Sequence, residues 1–265
     1  MAKLSRSTYY YVLNSLKKQD KYKDVKELII KIYNENKGRY GYRRITIELV
    51  NSYGLKINHK TVRRLMNILG LKAIIRKKRK YSSYKGTIGK IADNILNRDF
   101  KASKPNQKWA TDVTEFKVND QKLYLSPIVD LFNGEIISYN LSRHPNFEQV
   151  VDMLNKAFKK IPKDTELILH SDQGWQYQMK QYQTRLKKKG IIQSMSRKGN
   201  CIDNCCAENF FGILKSELFY VNKYNTLEEL EKDIHEYIDY YNNKRIKSRL
   251  KTSPVNYRTR FQESA

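Results

Sequence analysis

The sequence predicts an α/β protein with an all-α region ahead of its sheet. Three observations lead there. Between residues 24 and 70, apolar side chains recur at helical spacing. From Trp109 the chain turns to runs rich in Thr, Val and aromatics. Beyond residue 146, amphipathic helices alternate with short apolar strands.

The first helix of the all-α region covers DVKELIIKIYNE, residues 24–35, with Val25, Leu28, Ile29 and Ile32 on one face. A second runs over about 42–52. A third starts after Asn58, a good N-cap, and carries Val62, Leu65, Met66 and Leu69 as its apolar stripe. Its other face holds Lys60, Arg63, Arg64 and Asn67. The connection SYGLKIN between the last two helices is short and contains Gly54. Two amphipathic helices, a short turn and a basic outer face read as a helix-turn-helix, with DNA as the partner.

Charge supports that partner. The 265 residues contain 52 Lys plus Arg against 27 Asp plus Glu, a net charge of +25. Residues 1–100 hold 25 basic and 7 acidic side chains, residues 101–265 hold 27 and 20. Such a chain attracts polyanions, most strongly through its first part. Five consecutive bases, Arg76 to Lys80, lead into a Ser/Tyr/Gly/Lys stretch that reads as a tether able to touch phosphates. The divisions expected are a helical region 1–75, a basic linker 76–98, a core 99–220 and a C-terminal helix and tail 221–265.

Several classes are excluded. No apolar run reaches 18 residues and the N-terminus is no secretory signal, so no membrane span and a cytoplasmic location are expected. There is no phosphate loop and no dinucleotide fingerprint. Cys201, Cys205 and Cys206 form one cluster, which suits neither a disulfide framework nor zinc. Residues 1–23 are short, basic and Tyr-rich, and no sustained heptad indicates a zipper.

The sheet begins with WATDVTEFKV, read as one strand. Asn119–Asp120 turn the chain into KLYLSPIVDLF. Asn133–Gly134 give a two-residue hairpin signal before EIISYNLSR. A helix over 147–161, the short strand ELILHSD, a helix over 178–189 ending at Gly190, the strand IIQSMS and a helix over 207–220 follow. Three antiparallel strands extended by parallel ones, in the order βββαβαβα, give an RNase H-like sheet.

Three acids fall where this sheet would gather them. Asp112 lies mid-strand in TDVTEF, where a carboxylate is costly to bury unless paired or metal-bound. Asp172 follows a strand at its C-terminal end. Glu208 opens a helix after the polar stretch 198–206. There are 59 residues between the first two acids and 35 between the last two. Carboxylates on rigid elements suit Mg²⁺, which takes hard oxygen ligands and can clamp a phosphodiester. Each acid also has a structural reading, and Asp130, Glu115, Asp203 and Asp120 are alternatives. Asp130 is the strongest of these, with Asp203 in a supporting place behind the ligands.

The motifs GYRRITIEL, HKTVRRLM, WATDVTEF, HSDQGWQY, GNCIDNCCAENFFGILKSE and DYYNNKRIKSRLKTSPVNY span roughly residues 38–258. Together they resemble the DDE-type transposases and integrases, specifically the second-frame (OrfB-type) product of insertion sequence family three. The Asn-Cys-Cys at 204–206, where relatives tend to have small or Pro residues, is a departure that touches no ligand. The resemblance implies an RNase H-like DDE integrase core behind a helix-turn-helix domain. It implies catalytic, metal-holding Asp112, Asp172 and Glu208, with Mg²⁺ or Mn²⁺ as cofactor. It implies cleavage at the ends of an element and attack by the freed 3′-OH, first joining one end to the other in a circle that later integrates. Double-stranded DNA at element ends and target would be the partner, contacted by Lys215 near the scissile phosphate and by Arg43, Arg44, Lys60, Arg63 and Arg64. A homo-oligomer on DNA, fusion with an upstream first-frame product and a place at the bacterial nucleoid complete the expectation. His170 and Gln173 flank Asp172 and would line the site, with His170 orienting the loop rather than holding the metal, because Mg²⁺ disfavours nitrogen. The bases of the tail RIKSRLKTSPVNYR suggest DNA contact, while Leu250 and Tyr257 suggest packing on the core. A DNA-binding regulator with a degenerate core, and a nuclease on the same fold, are the competing readings.

Overall fold

In the computed structural model the described residues are 5–17, 20–74, 90–161, 165–197 and 201–264. The chain divides into two units, residues 1–74 and 75–265. The basic run Arg76–Lys80 lies outside the described residues.

The first unit is helical: α1 (Arg6–Lys17), α2 (Lys23–Glu35), α3 (Tyr42–Tyr53) and α4 (His59–Ile68). Periodicity places the last three closely. Ile29, Ile32, Ile45, Leu49, Val62, Leu65 and Met66 are all buried, as the i, i+3, i+4 pattern requires. The Asn58 side chain accepts the Lys60 amide at 2.9 Å and caps α4. Gly54 ends α3 at φ 66°, a left-handed turn that glycine adopts without strain. Helix α1 was not expected from the sequence; its Tyr9, Tyr10, Tyr11 and Val12 are exposed.

The second unit is built on one mixed sheet. Its strands are β1 (Lys108–Thr111), β2 (Thr114–Val118), β3 (Gln121–Asp130), β4 (Ile136–Ser142), β5 (Ile168–Ser171) and β6 (Ile192–Met195). The strand expected over WATDVTEFKV is broken at Asp112–Val113. Both halves still pair antiparallel with β3 in one continuous register, Trp109 opposite Asp130 and Thr114 opposite Leu125. The break follows from the Asp112 carboxylate, which accepts the Val113 amide at 2.7 Å and takes that donor away from a ladder. β4 pairs with the other edge of β3, β5 runs parallel to β1, and β6 runs parallel to β5.

The β2–β3 turn is Asn119–Asp120, with Asn119 at φ 52°. The β3–β4 connection differs from the two-residue hairpin expected. Asp130 and Glu135 close a loop of four residues, because the Asp130 carboxylate takes the Phe132 amide at 2.9 Å and Gly134 donates to the Asp130 carbonyl at 2.7 Å.

Helices cover both faces. On one lie α5 (Phe147–Phe158), α6 (Trp175–Gln178) and α7 (Lys180–Lys188), packed with Trp109, Ile128, Ile137 and Leu169. The single helix expected over 178–189 is thus two, interrupted at Met179, whose φ and ψ of −67° and 135° are extended. On the other face lie α8 (Cys205–Leu214) and α9 (Leu227–Asn243), packed with Phe116, Leu123, Leu125 and Val129. After Leu214 the helix widens into a π-turn over Lys215–Phe219. Thr226 and Glu229 form a capping box at the start of α9.

A final helix, α10 (Pro254–Glu263), replaces the turning tail expected from Ser253–Pro254. Proline suits its first turn, where no amide is needed. Two of the C-terminal bases serve the fold. Arg258 binds Asp130 at 2.6 Å and Glu135 at 2.7 Å, and Arg249 donates to the Phe132 carbonyl at 3.1 Å. Residues 92–98, which the sequence gives to the linker, pack on this unit. Leu96 is buried with its amide on Ser194 Oγ at 3.0 Å, and Arg98 pairs with Asp203 at 2.8 Å. Among the described residues no helix is long and apolar enough to cross a membrane.

Candidate active site

Strand register brings two of the three acids together. β1 and β5 pair parallel, with Lys108 opposite Ile168, Trp109 opposite Leu169 and Ala110 opposite His170. Continued by two residues, that register sets Asp112 beside Asp172 at the C-terminal ends of adjacent strands, the end where ligands bind in such sheets. Both side chains are half-buried. Burial first, and the Asp172 charge second, push the Asp112 carboxyl well above the usual carboxylate range. The Val113 amide opposes that rise, Glu208 adds to it, and Lys215 lowers it. Burial also raises Asp172, against the Gly174 amide that donates to its Oδ1 at 2.9 Å.

A carboxyl raised by the charge of its neighbour marks a site short of positive charge. Glu208, in the first turn of α8, is half-buried and within electrostatic reach of Asp112. Among the described residues, however, no three acid, His or Cys side chains converge closely enough to hold an ion together. The donor set nonetheless fits a hard divalent cation: carboxylate oxygens, two in register and a third on the neighbouring helix.

The surroundings fix this geometry. Gly174 lies so close to the acid that a Cβ there would stand 3.0 Å from Asp172 Oδ1 and 2.7 Å from Gln176 Nε2. Gln173 donates to the Ser196 carbonyl at 2.9 Å and Gln178 to the Gln173 carbonyl at 2.5 Å, which ties the loop after β5. His170 is buried, hydrogen-bonded through Nδ1 to Ser194 Oγ at 2.9 Å, and burial pulls its pKa down to about 4. Lys215 sits at the start of the π-turn. Its ammonium donates to Thr114 Oγ1 at 2.7 Å and the Glu115 carbonyl at 2.9 Å, just beyond the strand break, and lies over the Phe116 ring.

The alternative acids have other partners. Asp130 is fully buried and takes the amides of Asn106 and Phe132 besides Arg258. Asp203 takes Asn94, Arg98 and the Arg197 amide. Burial works to raise its pKa, but those donors prevail and lower it. Glu115 pairs with Lys122 at 3.0 Å, and Asp120 is exposed.

In the first unit Lys60, Arg43, Arg63 and Arg64 are exposed. Arg43 and Arg63 both lie over the Tyr42 ring, which stacks on His59, and Arg64 lies over Tyr22. Arg44 differs: it is half-buried, lies over Tyr40 and donates to the Arg39 carbonyl at 3.2 Å.

Family models agree with this layout. An HTH-like domain matches residues 20–79, and integrase core domains match residues 102–201 and 208–261. A transposase by name, InsK of insertion sequence element IS150 from Escherichia coli (strain K12), is 57% identical over 97% of this chain and 90% of its own length. Transposase InsF for insertion sequence IS3A of the same organism is 34% identical over 80% of this chain and 73% of its own. The chain belongs to the transposases of insertion sequence family three. A chain in a simian T-cell lymphotropic virus intasome, solved with a PP2A regulatory subunit, shares the fold: TM-score 0.51, 17% identity, 87% of this chain and 74% of that one.

In this transposase the sequence singled out the three acids, Lys215 and the exposed bases, but not what holds them. The structural reading of Asp172, a turn made with Gly174, is seen in the Gly174 amide on its Oδ1, whereas Tyr177 stood inside the quoted motif HSDQGWQY without a role. The Arg258 and Arg245 ion pairs join residues far apart in the chain and left no local signal.

Proposed function

We propose that this transposase cuts DNA at the ends of its element and joins the freed 3′-OH to DNA, with Asp112, Asp172 and Glu208 holding Mg²⁺ or Mn²⁺. The observation that carries this reading is the β1–β5 register, which sets two half-buried carboxylates side by side at the strand ends. Such a pair is strained by its own repulsion until a cation is shared between them. When bound, the ion supplies Lewis-acid stabilisation of the phosphodiester and lowers the pKa of the attacking water or hydroxyl.

The chain's own residues do the rest. Asp112 and Asp172 present oxygen ligands on rigid strand ends. Glu208 completes the set from α8 as DNA enters. Lys215 offsets negative charge beside the strand break and contacts the backbone near the scissile phosphate. Lys60, Arg43, Arg63 and Arg64 neutralise phosphates of the terminal repeat, which fixes orientation more than it reads sequence. Two ends have to be held together for joining, so the same reading includes an oligomer on DNA, with or without a fused first-frame segment, at the nucleoid.

The test is Asp172→Asn with end DNA and Mg²⁺, scored for cleavage and for joining. Cleavage is lost while DNA affinity stays within about threefold, because the basic surface is untouched. Asp112→Asn and Glu208→Gln behave alike. A variant cutting at more than a few per cent of the normal rate removes that acid from the set. Cleavage without joining by the unmodified chain identifies a nuclease instead.

A further inference from the structure

Asn204 occupies the N-cap of α8 and does not cap it. An Asn in that place ordinarily turns its side-chain oxygen onto an amide of the first turn. Here the side chain reaches across to the sheet instead, and its Nδ2 donates to the Thr111 carbonyl at 3.3 Å. Exchanging the oxygen and nitrogen of the amide would set two acceptors against each other, so this contact fixes which end is the donor. Asn204 is 3% exposed, and its Oδ1 is buried with no hydrogen bond among the described residues. The residue forgoes a cap and keeps an acceptor out of water unsatisfied, two costs that stability alone gives no reason to carry.

The two ends of the bond explain it. Thr111 is the last residue of β1, directly before Asp112. Glu208 lies four residues beyond Asn204, about one helical turn on, which puts both side chains on the same face of α8. Between them Cys206 packs against the cluster of Leu96, Ala110 and Leu131, which seats the first turn on the same strand. Asp203 fastens the turn before α8 through Asn94, Arg98 and the Arg197 amide, none of them on β1. That turn therefore has holders of its own. The Asn204 bond adds a directional tie from the start of α8 to the strand end that carries Asp112.

We propose that Asn204 is a positioning residue for Glu208. Its bond to the Thr111 carbonyl holds the first turn of α8 at the end of β1, so that Glu208 meets a divalent cation on Asp112 and Asp172 by turning its side chain rather than by moving the helix. This rests on the reading that the three acids share that cation. Among the described residues the three do not yet converge, and a tethered helix leaves only side-chain rotation to complete the set.

The experiment titrates Mn²⁺ into the full chain bound to end DNA that is already cut and lacks the 3′-OH, so that no reaction follows. Electron spin resonance follows the free ion, with the DNA alone as blank. Asn204→Ser and Asn204→Ala both remove the donor, and Ser is able to take up the cap. Each weakens Mn²⁺ binding about tenfold. Glu208→Gln weakens it on its own account. Adding the Asn204 change to Glu208→Gln costs nothing further, because the two act through one ligand. That cycle uses whichever Asn204 variant has the higher metal-free unfolding temperature. If Glu208→Gln weakens the ion and both Asn204 variants bind it normally, the role given to Asn204 is wrong and the metal reading stands. If Glu208→Gln binds Mn²⁺ normally, the reading of Glu208 falls and takes this role with it. The same loss from the Asn204 change with Glu208 and with Gln at that position overturns the role as well, because damage unrelated to Glu208 would then account for it.

Discussion

Arg245 grips both carboxylate oxygens of Glu217, at 2.6 and 2.8 Å, with the two side chains almost fully out of solvent. Tyr237 adds a third donor at 2.9 Å. Burial works against the Arg245 charge, and Glu217 more than offsets it. Glu217 lies in the π-turn that begins at Lys215, and Arg245 just beyond the end of α9. The pair thus fastens the π-turn that follows α8 to the end of α9. Removing one partner leaves the other charge buried alone, so Glu217→Ala should cost about 3–5 kcal/mol. The double change Glu217→Leu with Arg245→Met should recover most of that loss. Urea unfolding of the three variants measures it, and a cost under about 1 kcal/mol for Glu217→Ala contradicts a dry ion pair.

Asp130 is the acid most easily mistaken for a ligand. Its oxygens already serve two backbone amides and Arg258, which docks α10 on the β3–β4 loop. Asp130→Asn should therefore lower stability by about 2 kcal/mol, the scale of a hydrogen bond to a charged group, and leave most cleavage activity. Denaturant unfolding and cleavage on one preparation separate the two effects. Lost cleavage with unchanged stability would move the site to Asp130.

His170 gives the folded chain an acid-sensitive element. Burial, partly opposed by Asp203, lowers its pKa to about 4, while the unfolded value is near 6.5. Between those limits the unfolded chain binds a proton that the folded chain does not. The contribution is therefore complete above about pH 6.5 and lost as pH falls toward 4, on the order of 3 kcal/mol over the window. The unfolding midpoint of the unmodified chain should fall more steeply through this range than that of His170→Gln. Identical slopes would mean that His170 takes up its proton in the fold.

Local pattern made much of this structure legible. Asn58 announced its cap, and Val62, Leu65 and Met66 announced the buried stripe of α4, because both signals act within one turn. The β1–β5 neighbourhood of Asp112 and Asp172 followed from element order. Features that depend on distant partners were not legible. The four-residue loop exists because Asp130 caps it from behind, and α10 is held by Phe132 against Tyr257 and Phe261. Nothing local in the sequence showed that Arg258 and Arg249 also hold residues more than 100 positions away.

The second unit takes in residues that the sequence assigns to the linker. Ala92 donates its amide to Met195 Sδ at 3.3 Å, Asn94 and Arg98 bind Asp203, and Leu96 is 2% exposed. A fragment starting at Lys90 keeps all of these, whereas one starting at Arg98 loses Ala92, Asn94 and Leu96. The longer fragment should unfold in a single transition. The shorter should be weaker by about 2 kcal/mol, roughly the value of one buried leucine, with Asp203 left short of a donor. Both lack Lys60, Arg43, Arg63, Arg64 and the Arg76–Lys80 run. Affinity for end DNA should therefore fall in both, and the slope of log affinity against log salt should shrink, because fewer phosphates are neutralised. Unfolding and binding at several salt concentrations test both parts. Equal stability of the two fragments would return residues 90–97 to the linker, and an unchanged salt slope would place DNA binding in residues 98–265.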